Sequence, residues 1–467
     1  MRLKMILVIT LKLVLFIVIT IFILRTFLYL SKAAPTKANL VINTRQIIGK
    51  IPQNWKALAQ GGEEMNVRML QGVIPQISAL NPRYIRIDHI YDFYNVVQRN
   101  ANNLDLNWIK LDEMVCDIYH SGAKPFFVLG YMPEALSGDN TLVSQPLNYD
   151  EWAFVVQKTI ERYSGKSTRI CDQIYGDWLS DIYYEVWNEP DLETFGKWSI
   201  YNGAKDYKSL YYYSAMAAQQ AQNVYHFNLG GPVTTALYRN WILNFLNYVD
   251  YYNLKLDFIS WHHYTKNADD YYQDLVNLNT WLADDRYLRF RQLPKIISEW
   301  GYDSNPNPVS ETSIGAAHTV MSIRNLVDQN LSMAFAFDIK DGPEPRWGIL
   351  SHSGEKKPRY HALKILNQLD EFRLNVQGEG TYVRALASYN QDKISVILVN
   401  YDQRNTNFEM VPVTFTDLLP GNYLVSTKSF NEDNPTSASI SVLTAEYKKD
   451  ILMPPNSIIS LELKKIN

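Results

Sequence analysis

Hydrophobic positions along the chain fall into three regimes. From residue 5 to residue 24 they are almost continuous (MILVITLKLVLFIVITIFIL), broken only by Lys12 and two threonines. Twenty helical residues span about 30 Å, the hydrocarbon thickness of a bilayer, so this segment is predicted to enter a membrane. Lys12 followed by a twelve-residue apolar run, with Ser31-Lys32-Ala33 beyond it, also fits a cleavable signal peptide. The apolar character that resumes at Phe27-Leu28-Tyr29-Leu30 favours a retained anchor. Either fate exports the rest of the chain. A short polar linker containing Pro35 follows.

In the second regime, short apolar runs bounded by turn residues alternate with stretches whose apolar residues recur at helical spacing. Strands are predicted at Tyr84–Ile87, 125–129, Ile182–Val186, 228–231, 257–261, 295–298 and 332–337, with a weaker first strand near 55–60; helices include 210–224 and 313–329. Strand centres at 229, 259, 297 and 335 are 30, 38 and 38 residues apart, the length of one strand, one helix and two loops. Eight such units predict an α/β fold, a closed (β/α)8 TIM barrel, although a doubly wound open sheet uses the same grammar. In the third regime the period becomes two. Runs at 382–389, 394–400, 411–415, 422–426 and 458–463, separated by Gly, Pro, Asn and Asp, predict an antiparallel β-sandwich. The expected plan is a signal-anchor or signal peptide over 1–32, a linker over 33–44, a catalytic barrel over 45–370 and an accessory sandwich over 371–467.

Composition narrows the function classes. With 46% hydrophobic and 20% charged residues among 467, the chain is neither wholly disordered nor fibrous. A net charge of −3 offers no general attraction to phosphate backbones, so nucleic acid is not an expected partner. Aromatic residues make up 13% and serve equally to fill a core or to line a groove for an amphipathic ligand. Cys116 and Cys171 are the only cysteines, which excludes a disulfide scaffold and a cysteine-rich metal site. They either pair outside the cytoplasm or remain as two buried thiols.

Two strands end in glutamate. The first runs Tyr183-Tyr184-Glu185-Val186-Trp187-Asn188-Glu189-Pro190 and the second Ile296-Ile297-Ser298-Glu299-Trp300-Gly301. Polar residues at the C-terminal ends of barrel strands face the active site. Glu189 and Glu299 are 110 residues apart, about three strand-helix units, which places them on strands four and seven, facing each other across the barrel mouth. Hydrolysis of a glycosidic bond uses such a pair: one carboxyl gives a proton to the leaving oxygen while the other attacks or stabilises the anomeric carbon. Glu189 is the expected acid/base and Glu299 the expected nucleophile. His262 and His263 are neighbours on a strand and point to opposite faces, so one faces the cleft and no shared metal is expected. Gly165-Lys166-Ser167 lacks the upstream glycine of a phosphate loop, Ile160 standing there. No cofactor is expected. Tyr131, Trp261, Trp300 and Trp347 are candidates for stacking on sugar rings.

Taken with Asp257-Phe258-Ile259-Ser260-Trp261-His262-His263-Tyr264 and Lys357-Pro358-Arg359-Tyr360-His361-Ala362-Leu363, these motifs resemble glycoside hydrolase family 39, which includes β-xylosidases, α-L-iduronidases and bacterial exopolysaccharide hydrolases. The resemblance runs over roughly residues 45 to 467. It implies a retaining double displacement, with carboxyl groups about 5–5.5 Å apart. It also implies that Asn188 bonds the sugar 2-hydroxyl, that Tyr264 orients the nucleophile, and that Arg86 sits near Glu299 and favours its charged form. Two places depart from the better-known members. After the strand-two arginine they commonly carry histidine two positions on, where this chain has Asp88 and then His89; and Phe337-Asp338-Ile339-Lys340-Asp341-Gly342 is only a loose counterpart of their acidic pair after strand eight. The expected function is a retaining hydrolase of a cell-envelope or extracellular polysaccharide, held at the membrane by one N-terminal helix with its catalytic domain outside the cytoplasm, or secreted if that helix is cleaved. The competing readings are a surface carbohydrate-binding protein without turnover, and a clan member of the endo-mannanase or endo-glucanase type.

Overall fold

The computed structural model describes Thr20 and residues 35–466, apart from 62–63, 102 and 433. Apart from Thr20, the segment predicted to enter a membrane lies outside the described residues, and no helix among those described is long and apolar enough to cross one.

A first strand, β1 (Leu40–Lys50), precedes the barrel and belongs elsewhere. The chain then forms β2 (Ala57–Gln60), β3 (Tyr84–Ile87), a hairpin of β4 (Val97–Asn100) and β5 (Asn103–Leu106), then β6 (Lys124–Leu129), β7 (Ile182–Val186), β8 (Phe227–Thr234), β9 (Phe258–Tyr264), β10 (Lys295–Gly301) and β11 (Met333–Phe337). The hairpin apart, β2 to β11 make a closed barrel of eight parallel strands, β11 pairing back onto β2. The open-sheet alternative is thereby excluded. Helices α1 (Ile74–Ser78), α2 (Ile109–His120), α3 (Tyr149–Tyr163), α4 (Tyr207–Gln220), α5 (Arg239–Tyr251), α6 (Asp269–Leu282), α7 (Ser313–Asp328) and α8 (Pro358–Leu366) accompany these strands. Asn148, Asp206 and Thr312 start α3, α4 and α7 by accepting a hydrogen bond from the backbone N–H two residues on, which satisfies a donor the helix itself cannot.

The strands read as continuous apolar runs because both faces are buried. Inside the barrel, Ala57, Ala59, Phe126, Phe258, Ile296 and Phe335 form one cluster. Its large rings need small neighbours: a Cβ on Gly230 would lie 2.6 Å from the Phe258 ring and carbonyl.

The C-terminal sheet contains β12 (Phe372–Gln377), β13 (Val383–Asn390), β14 (Lys393–Asn400), β15 (Glu409–Thr416), β16 (Gly421–Ser429), β17 (Thr436–Val442), β18 (Tyr447–Met453) and β19 (Ile458–Ile466). These wrap around a second core that includes Val396, Leu398, Val413 and Phe415, as a β-sandwich does. Here the structure corrects the expected linker and domain boundary. β1, which starts inside the 33–44 span, is the ninth strand of this sheet, antiparallel to β12 and parallel to β15. Its first half, Leu40 and Ile42, buries alternate residues in the sandwich core, which is what holds it there. The two cysteines resolve as a disulfide from α2 to the loop beyond α3.

Candidate active site

All the groups that matter stand at the C-terminal ends of the barrel strands. Arg86 on β3 is the hub. Its Nε donates to Glu185 (2.8 Å), its Nη1 to Glu299 (2.6 Å) and its Nη2 to Asn188 (2.8 Å), all in a buried setting. Every guanidinium nitrogen is thus committed, the arrangement for which a rigid planar fork is suited. Past the end of β7, positive φ at Trp187 (73°) and Glu189 (41°) turns the chain sharply, while the Glu189 N–H donates to the Val233 carbonyl.

One carboxylate oxygen each of Glu189 and Glu299 and one ring nitrogen of His262 lie within 4.8 Å of one another. His262 Nδ1 is 2.8 Å from Glu189 Oε1 and 3.4 Å from Glu299 Oε2, so the ring edge bridges the two carboxyl groups. Tyr264 donates its hydroxyl to Glu299 Oε2 (2.8 Å). Burial, with Glu299 and Glu189 adding, holds the Tyr264 phenol well above its ordinary value, so it remains a donor. Asn188 Nδ2 donates to the Tyr131 hydroxyl (2.9 Å). The resemblance expected Arg86 to favour the charged form of Glu299. It does, as does His262, but burial acts the other way and is larger, and Glu189 and Asp88 add to it, so the Glu299 carboxyl lies above the usual range. For His262, burial disfavours the cation, but the two glutamates outweigh it and raise the imidazole.

The expected site residues Glu189, Glu299, Asn188, Arg86, His262, Tyr264 and Tyr131 therefore meet. Trp347 is half-buried at the rim, its indole N–H donating to the Asp303 carbonyl and its ring 5.6 Å from Phe337, which in turn neighbours Tyr264. Trp300 is a correction. It is fully buried behind β10 against Tyr271 and His318, because the residue after an inward-facing glutamate points outward, and it offers no face to a sugar. Trp261 is likewise turned away, bonded to Asp274. His263 also pairs with Asp274 (2.6 Å), on the opposite side from His262. Sequence reasoning missed Glu185, although a lone carboxylate in the apolar run Ile182–Val186 was a signal for it. Among the described residues, Glu189, His262 and Glu299 form the one cluster of three with convergent metal-ligand atoms. The Arg86 cation already bonded to Glu299 opposes a second positive charge there.

Known proteins place this geometry. The chain is 29% identical over 309 residues to a β-xylosidase of Geobacillus stearothermophilus, spanning 58% of each chain, so a little over half of that relative's length is matched. It is 25% identical over 404 residues, 78% of each chain, to a β-xylosidase of Caldicellulosiruptor saccharolyticus. The fold matches the crystal structure of a monomeric β-xylosidase from Caulobacter crescentus with a TM-score of 0.78 over 92% of this chain and all of that one, at 19% identity. Residues 64–440 match the sequence family described as glycosyl hydrolases family 39, and the chain belongs to that family.

Proposed function

We propose that the protein is a retaining glycoside hydrolase that cleaves O-glycosidic bonds of a cell-envelope or extracellular polysaccharide by double displacement. The observation that carries this reading is the approach of Glu189 and Glu299 oxygens to within 4.8 Å, a spacing suited to direct attack and too narrow for the interposed water of an inverting enzyme. Glu189 gives its proton to the leaving oxygen as Glu299 attacks the anomeric carbon, forming a glycosyl ester. Water then displaces the ester, and Glu189 takes the proton from that water. Asn188 is placed to bond the 2-hydroxyl, and Tyr264 holds Glu299 in line. Arg86 and Tyr264 both donate to Glu299, which favours its charged form against the burial that raises its carboxyl.

The β-xylosidases among the relatives support a pentoside or similar glycone. The Cys116–Cys171 disulfide supports a location outside the cytoplasm, reached through the apolar N-terminal segment as an anchor or a signal, and fractionation of the expressing cell tests this.

Glu299→Gln is expected to lower kcat on an aryl glycoside by about three orders of magnitude or more; near wild-type turnover removes it from the nucleophile role. Glu189→Ala is expected to lose about 10²–10⁴-fold with poor leaving groups and far less with activated ones, and equal losses across leaving groups would overturn its acid role. NMR of the first-formed sugar distinguishes retention from inversion. Binding without turnover or covalent trapping by a fluoro-sugar favours the lectin-like alternative.

A further inference from the structure

One carboxylate bonded to the hub of the site has no part in the mechanism. Glu185 on β7 is fully buried, its Oε2 2.8 Å from Arg86 Nε and its Oε1 buried without a hydrogen-bond partner. A buried ion pair adds little to stability over well-packed apolar side chains of similar volume, so packing alone does not call for a charge in this apolar strand. The same guanidinium reaches Glu299 Oε1 through Nη1 (2.6 Å) and Asn188 Oδ1 through Nη2 (2.8 Å). One positive charge is therefore divided between two carboxylates. Burial disfavours the Arg86 cation, and Glu185, Glu299 and Asp88 outweigh it, Glu185 foremost.

We propose that Glu185 is a positioning residue for the nucleophile: it fixes the Arg86 guanidinium between Glu299 and Asn188 and takes up part of its charge, which leaves Glu299 basic enough to attack. This rests on the glycosidase reading. The guanidinium donors form a rigid planar fork, so the bond at Nε sets where both Nη groups point. Charge supplies the second part. An undivided cation 2.6 Å from Glu299 would hold its carboxyl low and weaken it as a nucleophile. Paired with Glu185, the guanidinium acts on Glu299 as a donor of much reduced charge, and burial keeps the carboxyl raised. The other groups facing Glu299 are Asp88 beyond β3, Glu189 beyond β7, and His262 and Tyr264 on β9; those facing Glu185 are Arg86 and the Tyr207 phenol on α4. Removing the Glu185 charge leaves all of these in place, so Glu299 is expected to lose its proton at lower pH.

The test is the pH dependence of inactivation by fluoro-sugars carrying a dinitrophenolate leaving group, in β-xyloside and β-glucoside forms. Such a leaving group needs no acid, so the rate of labelling reads the ionised nucleophile. Glu185→Gln keeps an acceptor for Nε and removes the charge, and its acid limb is expected about one pH unit below that of the wild type. Glu185→Asp keeps the charge and is expected to hold the limb near the wild-type position. Glu185→Met serves if the amide variant does not fold, as judged by thermal unfolding. A limb that stays put or moves up in a folded neutral variant overturns the proposal, because a merely structural Glu185 would change the rate without moving the limb. Wild-type protein labelled by neither inactivator overturns the glycosidase reading, and this inference with it, so the two failures are told apart.

Discussion

Arg86 holds together groups that would otherwise be untenable. Glu185 is fully buried with one oxygen unpartnered, and among the described residues its ion-pair partner is this guanidinium. Removing one member of a buried ion pair leaves an uncompensated charge and costs about 3–5 kcal/mol. Arg86→Leu is therefore expected to lower stability by about that amount in urea denaturation, as well as to abolish activity; an unshifted midpoint would mean that Glu185 needs no counter-ion. The Glu299 carboxyl, raised by burial, sets a pH dependence. The nucleophile is ionised above its raised pKa and is lost as pH falls through it, so the acid limb of kcat/KM is expected above the ordinary glutamate value of about 4.3. Tyr264→Phe removes a donor to the charged form and is expected to move that limb to higher pH. A limb that stays put, or moves down, would contradict this. At this scale the sequence was readable wherever chemistry and strand alternation agreed. The alternation that separated His262 from His263 also turns Trp300 away from Glu299, yet aromatic chemistry alone had suggested a sugar platform there.

Among elements, strands buried on both faces were the easiest to find, and Tyr84–Ile87 and Ile182–Val186 match residue for residue. The strands that escaped notice lie where burial is one-sided or slight. β17 is mostly exposed and β18 carries the consecutive charges Lys448, Lys449 and Asp450 before its apolar end, so neither stands out from a loop. β14 shows the opposite extreme. Val396 and Leu398 face the sandwich core while Ile397 and Val399 join the barrel core, so a single strand is apolar throughout. α7 is buried on nearly every side for the same reason, being enclosed by its neighbours in the barrel and by β13, β14 and β19. Within the barrel, tight complementarity around Phe258 gives a further test. Gly230→Ala places a methyl group 2.6 Å from both ring and backbone, and is expected to cost about 1–3 kcal/mol by chemical denaturation. No measurable cost would mean that β8 and β9 slide apart freely.

For the molecule as a whole, the sandwich is part of the barrel's wall. Arg324 of α7 is paired with Glu379 and Asp328, Arg373 of β12 also reaches Asp328, and Arg384 of β13 meets Asp269 on α6 (2.7 Å). A chain ended at residue 370 would expose the apolar flank of α7 and is expected to be aggregated or unfolded by size-exclusion chromatography and circular dichroism; a soluble, cooperative barrel from that truncation would show the two units to be separable. The disulfide closes a loop with a sequence separation of 55 residues, and Cys116→Ser is expected to cost about 2–4 kcal/mol, read as a lower Tm. Barrel and sandwich as classes were visible in the change of hydrophobic period. What period cannot reveal is that one strand crosses from the start of the chain to the far domain, since pairing partners so distant leave no local trace.

That strand, β1, has a consequence for biosynthesis. Val41 pairs with Gln377 and Leu40 with Val413, so this strand waits for partners synthesised much later than itself. At roughly 5–20 residues per second, the interval before β12 emerges is on the order of twenty seconds to a minute, during which this ribbon has no native strand partner. A nascent chain stalled before those strands emerge would leave the edge of this ribbon unpaired and open to proteases, which limited proteolysis of stalled chains would detect.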